Sequence, residues 1–316
     1  MLLKINGSRR NLLVFALCSI LFVNCSPKKK MMSSATVDNS LLEDRTHWVT
    51  KKLRNDLVWY HFAGMDTGVF AHQIVNVLDL SNSNHHLVPL LAASKDSLSS
   101  LGLKEGDVVA GINGTYFLEA KDHSPNYMYL RLNNNVIQTV MIKDTSILYW
   151  KHKGMIAFND DGSNIRIGKS PENFDLVKAD NVLTGAPLLI DNFDPVGLRF
   201  ADTTGKHVNS LNYEDPLRHQ GVRHPRTAIA LTADHHLLLI AVDGRNSDAV
   251  GMSAKELTLF LQTYFHPQSA LNLDGGGSTT MWVKGEPFNG IVNYPTDNGK
   301  FDHYGQRRVE TTIFIR

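Results

Sequence analysis

Hydrophobic and polar positions along the chain predict many short strands and few helices. Residues 41–57 place Leu41, Leu42, Trp48, Val49 and Leu53 on one face at helical spacing and predict a helix that caps or opens the domain. Residues 72–80 and 85–91 read as two strands of a hairpin around Ser81-Asn82-Ser83-Asn84. A short helix is expected from Ser97 to Leu103, stopping near Gly106, and residues 108–112 form a buried strand running into Asn113-Gly114-Thr115-Tyr116-Phe117. Between residues 125 and 222 hairpin signals dominate: Asn133-Asn134-Asn135 and Asn159-Asp160-Asp161-Gly162 each sit between apolar runs and tolerate the positive φ of tight turns. Residues 200–222 are polar and mixed and read as a long surface loop.

The last hundred residues are the most regular. Strands are expected at 226–232 and 237–242, joined by Ala233-Asp234-His235-His236. The second contains no polar side chain, as a strand covered on both faces requires. Ser253 and Glu256 form a capping box, and Leu257, Phe260, Leu261, Tyr264 and Phe265 then follow helical spacing until His266-Pro267. A short strand at 270–273 ends in Asp274-Gly275-Gly276-Gly277-Ser278, and strands near 279–283 and 308–315 follow. Strand, helix and strand in this order predict a crossover whose parallel strands end on the same edge. The expected fold class is therefore α+β: a mixed β-sheet core with antiparallel hairpins, a few packed helices and one β-α-β crossover.

The N-terminus reads as an address. Lys4, Arg9 and Arg10 precede a twelve-residue apolar run at 12–23, too short to span a bilayer. Asn24-Cys25-Ser26 follows at once, resembling a bacterial lipoprotein signal in which Cys25 becomes the lipidated first residue; an ordinary cleaved signal is the plainer alternative. The expected organisation is a signal at 1–24, a polar tether at 25–40 and a single domain at 41–316, exported and anchored to the lipid bilayer of the cell envelope. Lys28, Lys29 and Lys30 either touch anionic headgroups or serve as a solvated spacer.

Composition removes several classes. The 316 residues are 42% hydrophobic and 20% charged, which excludes a disordered chain. The formal net charge of +1, from 32 basic and 31 acidic residues, offers nothing for nucleic acid. The two cysteines, Cys18 and Cys25, both precede the folded part and cannot build a disulfide framework. The fourteen histidines show no metal-binding spacing. No cofactor is required, although two carboxylates at strand ends could hold a divalent cation.

The candidate chemistry lies on the edge where the crossover strands end. Asp243-Gly244-Arg245 and Asp274-Gly275-Gly276-Gly277-Ser278 each follow a buried strand, and Asn113-Gly114 follows a third. Three glycines permit close backbone approach and present N–H groups to an anion. No P-loop ending and no nucleophile elbow surrounds Ser278, which reads as a hydrogen-bonding side chain. Arg226, Arg245, Arg307 and Arg308 stand at strand ends, where a guanidinium can grip phosphate.

Together these stretches resemble the phosphodiester glycosidase family. The resemblance runs through Ile112-Asn113-Gly114-Thr115-Tyr116-Phe117, Gly185-Ala186-Pro187-Leu188-Leu189, Arg223-His224-Pro225-Arg226-Thr227-Ala228-Ile229, Leu239–Arg245 and Ala270–Met281, and ends around Arg307-Arg308-Val309. It covers roughly residues 70–316. Thr115 departs from it, standing where a second glycine is usual, and its Cβ is expected to narrow ligand approach. The resemblance implies hydrolysis of a sugar 1-phosphodiester, N-acetylglucosamine-like, to free sugar and phosphomonoester, with a phosphorylated glycan as partner. On this reading Asp243 and Asp274 form the carboxylate pair, Arg226, Arg245 and the amides of Gly275, Gly276 and Gly277 hold phosphate, Asn113, Thr227 and Ser278 fix sugar hydroxyls, and Gly114 and Arg308 complete the substrate- or phosphate-binding set. A non-catalytic glycan-binding lipoprotein and a metal-assisted phosphodiesterase cutting the P–O bond are the competing classes.

Overall fold

The computed structural model describes residues 47–81, 87–118, 124–200 and 206–316. The stretches expected to be signal and tether, with Cys25, lie outside the described residues. Three antiparallel sheets organise the remainder, with few helices, which is an α+β fold.

The largest sheet has seven strands and centres on Leu237–Val242 and Arg226–Leu231. Its central strands are apolar because both faces are covered. Leu237, Leu239 and Ala241 face a core shared with the two smaller sheets, through residues such as Ile112, Ile156, Leu183 and Ile313. Leu238, Ile240 and Val242 face the opposite way, against Leu257, Phe260 and Leu261 of the helix Ala254–Tyr264. That helix begins with both bonds of the capping box between Ser253 and Glu256.

The crossover is present, with a difference in neighbours. Leu237–Val242 and Ser269–Asn272 each pair antiparallel with Arg226–Leu231, which lies between them, so they are parallel to one another without touching. Asp243 and Asp274 therefore leave the same edge at which Arg226 enters it.

Three expectations are corrected. Of the predicted helix at 41–57, the described part is the strand Trp48–Arg54, paired with Leu57–Asp66. Trp48 packs against Phe62, Phe260, Tyr264 and Phe265, and this aromatic cluster across the sheet overrides a helical spacing read from few residues. The strands Ala71–Leu80 and Leu87–Asp96 do not form a hairpin. The first pairs with Leu57–Asp66 and Leu237–Val242, the second with Val309–Ile315 in the four-stranded sheet. Their connecting residues 82–86 lie outside the described set. Finally, residues 206–221 are not plain loop: Lys206–Asn209 and Pro216–Gly221 are short helices, the second capped by Asp215 with Pro216 in its first turn.

Candidate functional site

Where the two parallel strands end, the wall of a polar cavity of about 110 Å³ is formed. Arg226, Asp274, Gly275 and Gly276 come from the sheet edge, and Tyr116, Phe117 and Tyr127 from the segment that follows the buried strand Ala110–Asn113. Lys151 comes from the single turn Tyr149–His152, Tyr213, Glu214 and His219 from the segment about the helix Pro216–Gly221, and Arg307 from the approach to the last strand. A larger groove of about 570 Å³, lined in part by Arg166, Lys178 and His235, sits at the far end of the strand Arg226–Leu231 and gathers no comparable chemistry.

The charges in the cavity are fixed by specific contacts. Lys151 is buried, with Nζ 4.9 Å from the ring centre of Tyr116 and 5.0 Å from that of Tyr127, and it pairs with Glu214 at 2.5 Å. Arg226 gives Nε to the Met252 carbonyl at 2.8 Å and Nη2 to the His219 and Val222 carbonyls at 2.7 and 3.1 Å. These bonds hold a guanidinium that is 1% exposed, and burial draws it down to about 10. Arg307 is gripped by Asp297 through Nε and Nη2 at 2.8 and 2.5 Å. Burial pushes Asp274 up to about 6, opposed in turn by the Ser278 hydroxyl, by Lys151 and Arg307, and by the Gly275 amide. Burial, then Arg226 and Arg245, push His224 down to about 3, while burial and Arg226 also hold His219 well below its ordinary range. Both imidazoles are neutral at neutral pH. The cavity thus offers fixed cations and one carboxyl that changes charge close to physiological pH.

The sequence-selected residues divide into three sets. Asp274, Arg226, Gly275 and Gly276 line the cavity, and Arg245 stands behind Gly276, where a Cβ would come within 3.0 Å of its Nη2. A second set lies beneath the floor. Asn113 is spent on positioning: Nδ2 donates to the Asp274 carbonyl at 2.7 Å, while Oδ1 accepts from the Thr227 hydroxyl at 2.7 Å and the Thr280 amide at 3.1 Å. The Gly114 carbonyl accepts from the Asp274 amide at 3.2 Å. Asp243 is wholly buried and turned away, with Oδ1 accepting from Asn293 Nδ2 and the Tyr294 amide at 2.8 and 2.9 Å.

Other members of that set correct the expected roles. The Gly276 amide donates to the Pro225 carbonyl at 2.8 Å, so it is not free for a phosphate. Gly277 is required by packing, since a Cβ there would lie 2.4 Å from Asp297 Oδ1. Ser278 is buried below the loop. Thr115 donates its hydroxyl to the Thr184 carbonyl and does not reach the cavity, so it does not narrow it. Arg308 is the outlier, directed at Asp96 at 4.0 Å with its side chain largely in solvent; its neighbour Arg307 is the cavity arginine.

Lys151, Glu214, Tyr213 and His219 were not selected from sequence. No motif surrounds them, and only the fold brings them to the edge. Tyr116, His224 and Arg307 fall inside the stretches that carried the family resemblance. Among the described residues no group of three or more His, Cys, Asp or Glu side chains is arranged to hold a metal ion.

The model of one protein family, phosphodiester glycosidase, matches residues 106–316, and every strand that builds the cavity edge falls within that span. The chain belongs to the phosphodiester glycosidase family. Solved structures agree on the fold. The zebrafish N-acetylglucosamine-1-phosphodiester alpha-N-acetylglucosaminidase catalytic domain, auto-inhibited by its pro-peptide, superposes with a TM-score of 0.59 at 16% identity, covering 85% of this chain and 88% of that one. A hypothetical protein from Synechocystis superposes at 0.58 with 14% identity, covering 86% and 64%. Among curated proteins, the SPbeta prophage-derived uncharacterized protein YomE of Bacillus subtilis is 39% identical over 94 residues, 24% of this chain. The match spans 14% of that relative's length.

Proposed function

We propose that this phosphodiester glycosidase hydrolyses a sugar 1-phosphodiester to free sugar and a phosphomonoester, with N-acetylglucosamine as the sugar. The observation that carries the reading is the half-buried Asp274 carboxyl, which shares one cavity with the buried Arg226 and Lys151 and with Arg307. A phosphodiester is an anion, and these cations hold it while the bond from the anomeric carbon to the phosphate oxygen breaks. The bond's electron pair leaves with that oxygen, water supplies oxygen to the anomeric carbon, and a water proton is taken by a carboxylate. A phosphate is already a good leaving group, so the need for a strong general acid is small.

Asp274 in its ionised form faces the developing oxocarbenium centre, and Glu214 is its carboxylate partner in place of Asp243, which the cavity does not contain. Asn113 and Gly114 fix the Asp274 backbone, and Thr227 fixes Asn113. The named activity of the zebrafish protein supports the choice of sugar. The Cys25 context supports a lipid-anchored protein at the bacterial envelope, where glycan phosphodiesters occur. Fatty-acid labelling lost in Cys25→Ala checks the anchor.

Hydrolysis of methyl N-acetylglucosamine 1-phosphodiester in ¹⁸O water tests the chemistry. Label in the sugar supports the reading. Label in the phosphate replaces it with P–O cleavage, and binding without turnover replaces it with a glycan-binding protein.

A further inference from the structure

We propose that Phe288 and Tyr304 form a subsite for a second sugar ring, carried by the alcohol side of the phosphodiester. The inference rests on reading the Asp274 cavity as a sugar-phosphodiester site. Four rings follow one another in a column: Phe288 stacks on His303 with centroids 4.2 Å apart, His303 meets Tyr294 at 4.3 Å with the planes tilted by 33°, and Tyr294 stacks on Phe301 at 4.4 Å. Tyr304 meets the Phe288 end at 6.0 Å with the ring planes at 87°. These two rings are 46% and 67% exposed, so the column ends in an open two-walled aromatic corner. Such a corner suits the apolar C–H face of a pyranose and offers nothing to a phosphate.

The corner is tied to the cavity. Tyr304 stands three residues before Arg307, and three residues of extended chain span at most about 11 Å, one or two sugar units. Gly305, next to Tyr304, bridges to Thr296, and its carbonyl accepts from the Asp297 amide at 3.0 Å. Asp297 is the residue that grips Arg307. The Tyr294 amide donates to Asp243, and Arg245 reaches Thr296 at 3.4 Å. A substituent on a phosphate held by Arg307 therefore lies within reach of this loop.

Phe288 is held at a cost. Its φ is +57° and that of Asn289 +58°, a left-handed pair that bulky residues rarely adopt. Trp282 Nε1 donating to the Asn289 carbonyl at 2.9 Å and the Gly290 amide bonding back to Glu286 and Pro287 keep the turn in place. A turn needed only to reverse the chain has no use for an exposed aromatic ring there; strain of this kind gathers where a side chain is presented to a ligand.

The test uses the full chain and two probes, methyl N-acetylglucosamine 1-phosphodiester and the same sugar phosphate esterified to a primary hydroxyl of maltose. Phe288→Ala and Tyr304→Ala are expected to lower kcat/KM on the maltosyl probe about tenfold, through KM, and to leave the methyl probe unchanged; Phe288→Tyr retains wild-type behaviour. Equal effects on both probes, or none on the maltosyl one, overturn the subsite. Tyr304→Ala removes a largely exposed ring, so the test survives if Phe288→Ala misfolds. If the wild type cleaves neither probe, calorimetric binding of the maltosyl probe decides separately. Binding weakened in the variants keeps the subsite while the hydrolase reading falls, and unchanged or absent binding removes the subsite.

Discussion

Asp243→Asn distinguishes a scaffolding carboxyl from a catalytic one. In the wild type burial pushes this carboxyl up to about 7 from 3.8, against hydrogen bonds from the Tyr294 amide and the Asn293 side chain, and Oδ2 has no partner. A group that holds its proton more tightly when folded stabilises the fold fully below its unfolded pKa, near 4, and loses that contribution as pH rises to the folded value. At about 1.4 kcal/mol per pH unit, the loss between pH 4 and pH 7 is about 4 kcal/mol, with a plateau above. Asparagine keeps the Oδ1 acceptor and does not titrate, but its amide brings two N–H donors to the place where the protonated carboxyl has one unpartnered O–H, and the additional buried donor costs about 1–3 kcal/mol at every pH. The variant is therefore expected to be less stable than wild type at pH 4 and more stable at pH 8, each by about 1–3 kcal/mol, the curves crossing between. Urea denaturation followed by circular dichroism over this range measures it, and activity at pH 7 should stay within about threefold, since the residue touches no substrate. Parallel stability curves would refute the burial argument. A collapse in kcat with unchanged stability would return Asp243 to the catalytic pair.

Other outcomes follow from the same geometry. Asp274→Asn should lower kcat on a sugar 1-phosphodiester by about a thousandfold or more without loss of folding stability above pH 6, measured by steady-state kinetics beside thermal melts. In the wild type, kcat/KM should rise with pH through about 6, as Asp274 ionises, and then level; a flat profile across pH 5–7 would remove it from the chemistry. Arg307→Ala should raise KM for the phosphodiester about tenfold or more while leaving affinity for the free sugar unchanged, by calorimetry. Gly276→Ala places a Cβ at φ +61° and 3.0 Å from Arg245 Nη2, and should cost about 1–2 kcal/mol in urea denaturation together with weaker substrate binding.

Much of the fold was legible in the chain because the signals were local. Ser253 and Glu256 announced the helix Ala254–Tyr264, and the unbroken apolar run Leu237–Val242 announced a strand covered on both faces. The errors came where partners were distant. Trp48 belongs to a strand because Phe62, Phe260, Tyr264 and Phe265 lie across from it, and Leu87–Asp96 joins a different sheet from Ala71–Leu80 because Val309–Ile315, more than two hundred residues on, is its partner.

The site divides in the same way. The sequence placed Asp243, Asp274 and Arg226 on one edge on the condition that the two crossover strands run parallel, and their shared antiparallel neighbour meets that condition. Which side chains face the cavity was decided only by the tertiary structure. Facing depends on hydrogen bonds made by residues far apart: Asn113 is consumed by Asp274, Thr227 and Thr280 and Asp243 by Asn293 and Tyr294, whereas three backbone carbonyls hold Arg226 where it lines the cavity. Lys151 and Glu214 carry no motif. They acquire a role because the fold closes a single turn and a short helical segment over the sheet edge, excluding enough water for a lysine, its carboxylate partner and two aromatic rings to act on one another.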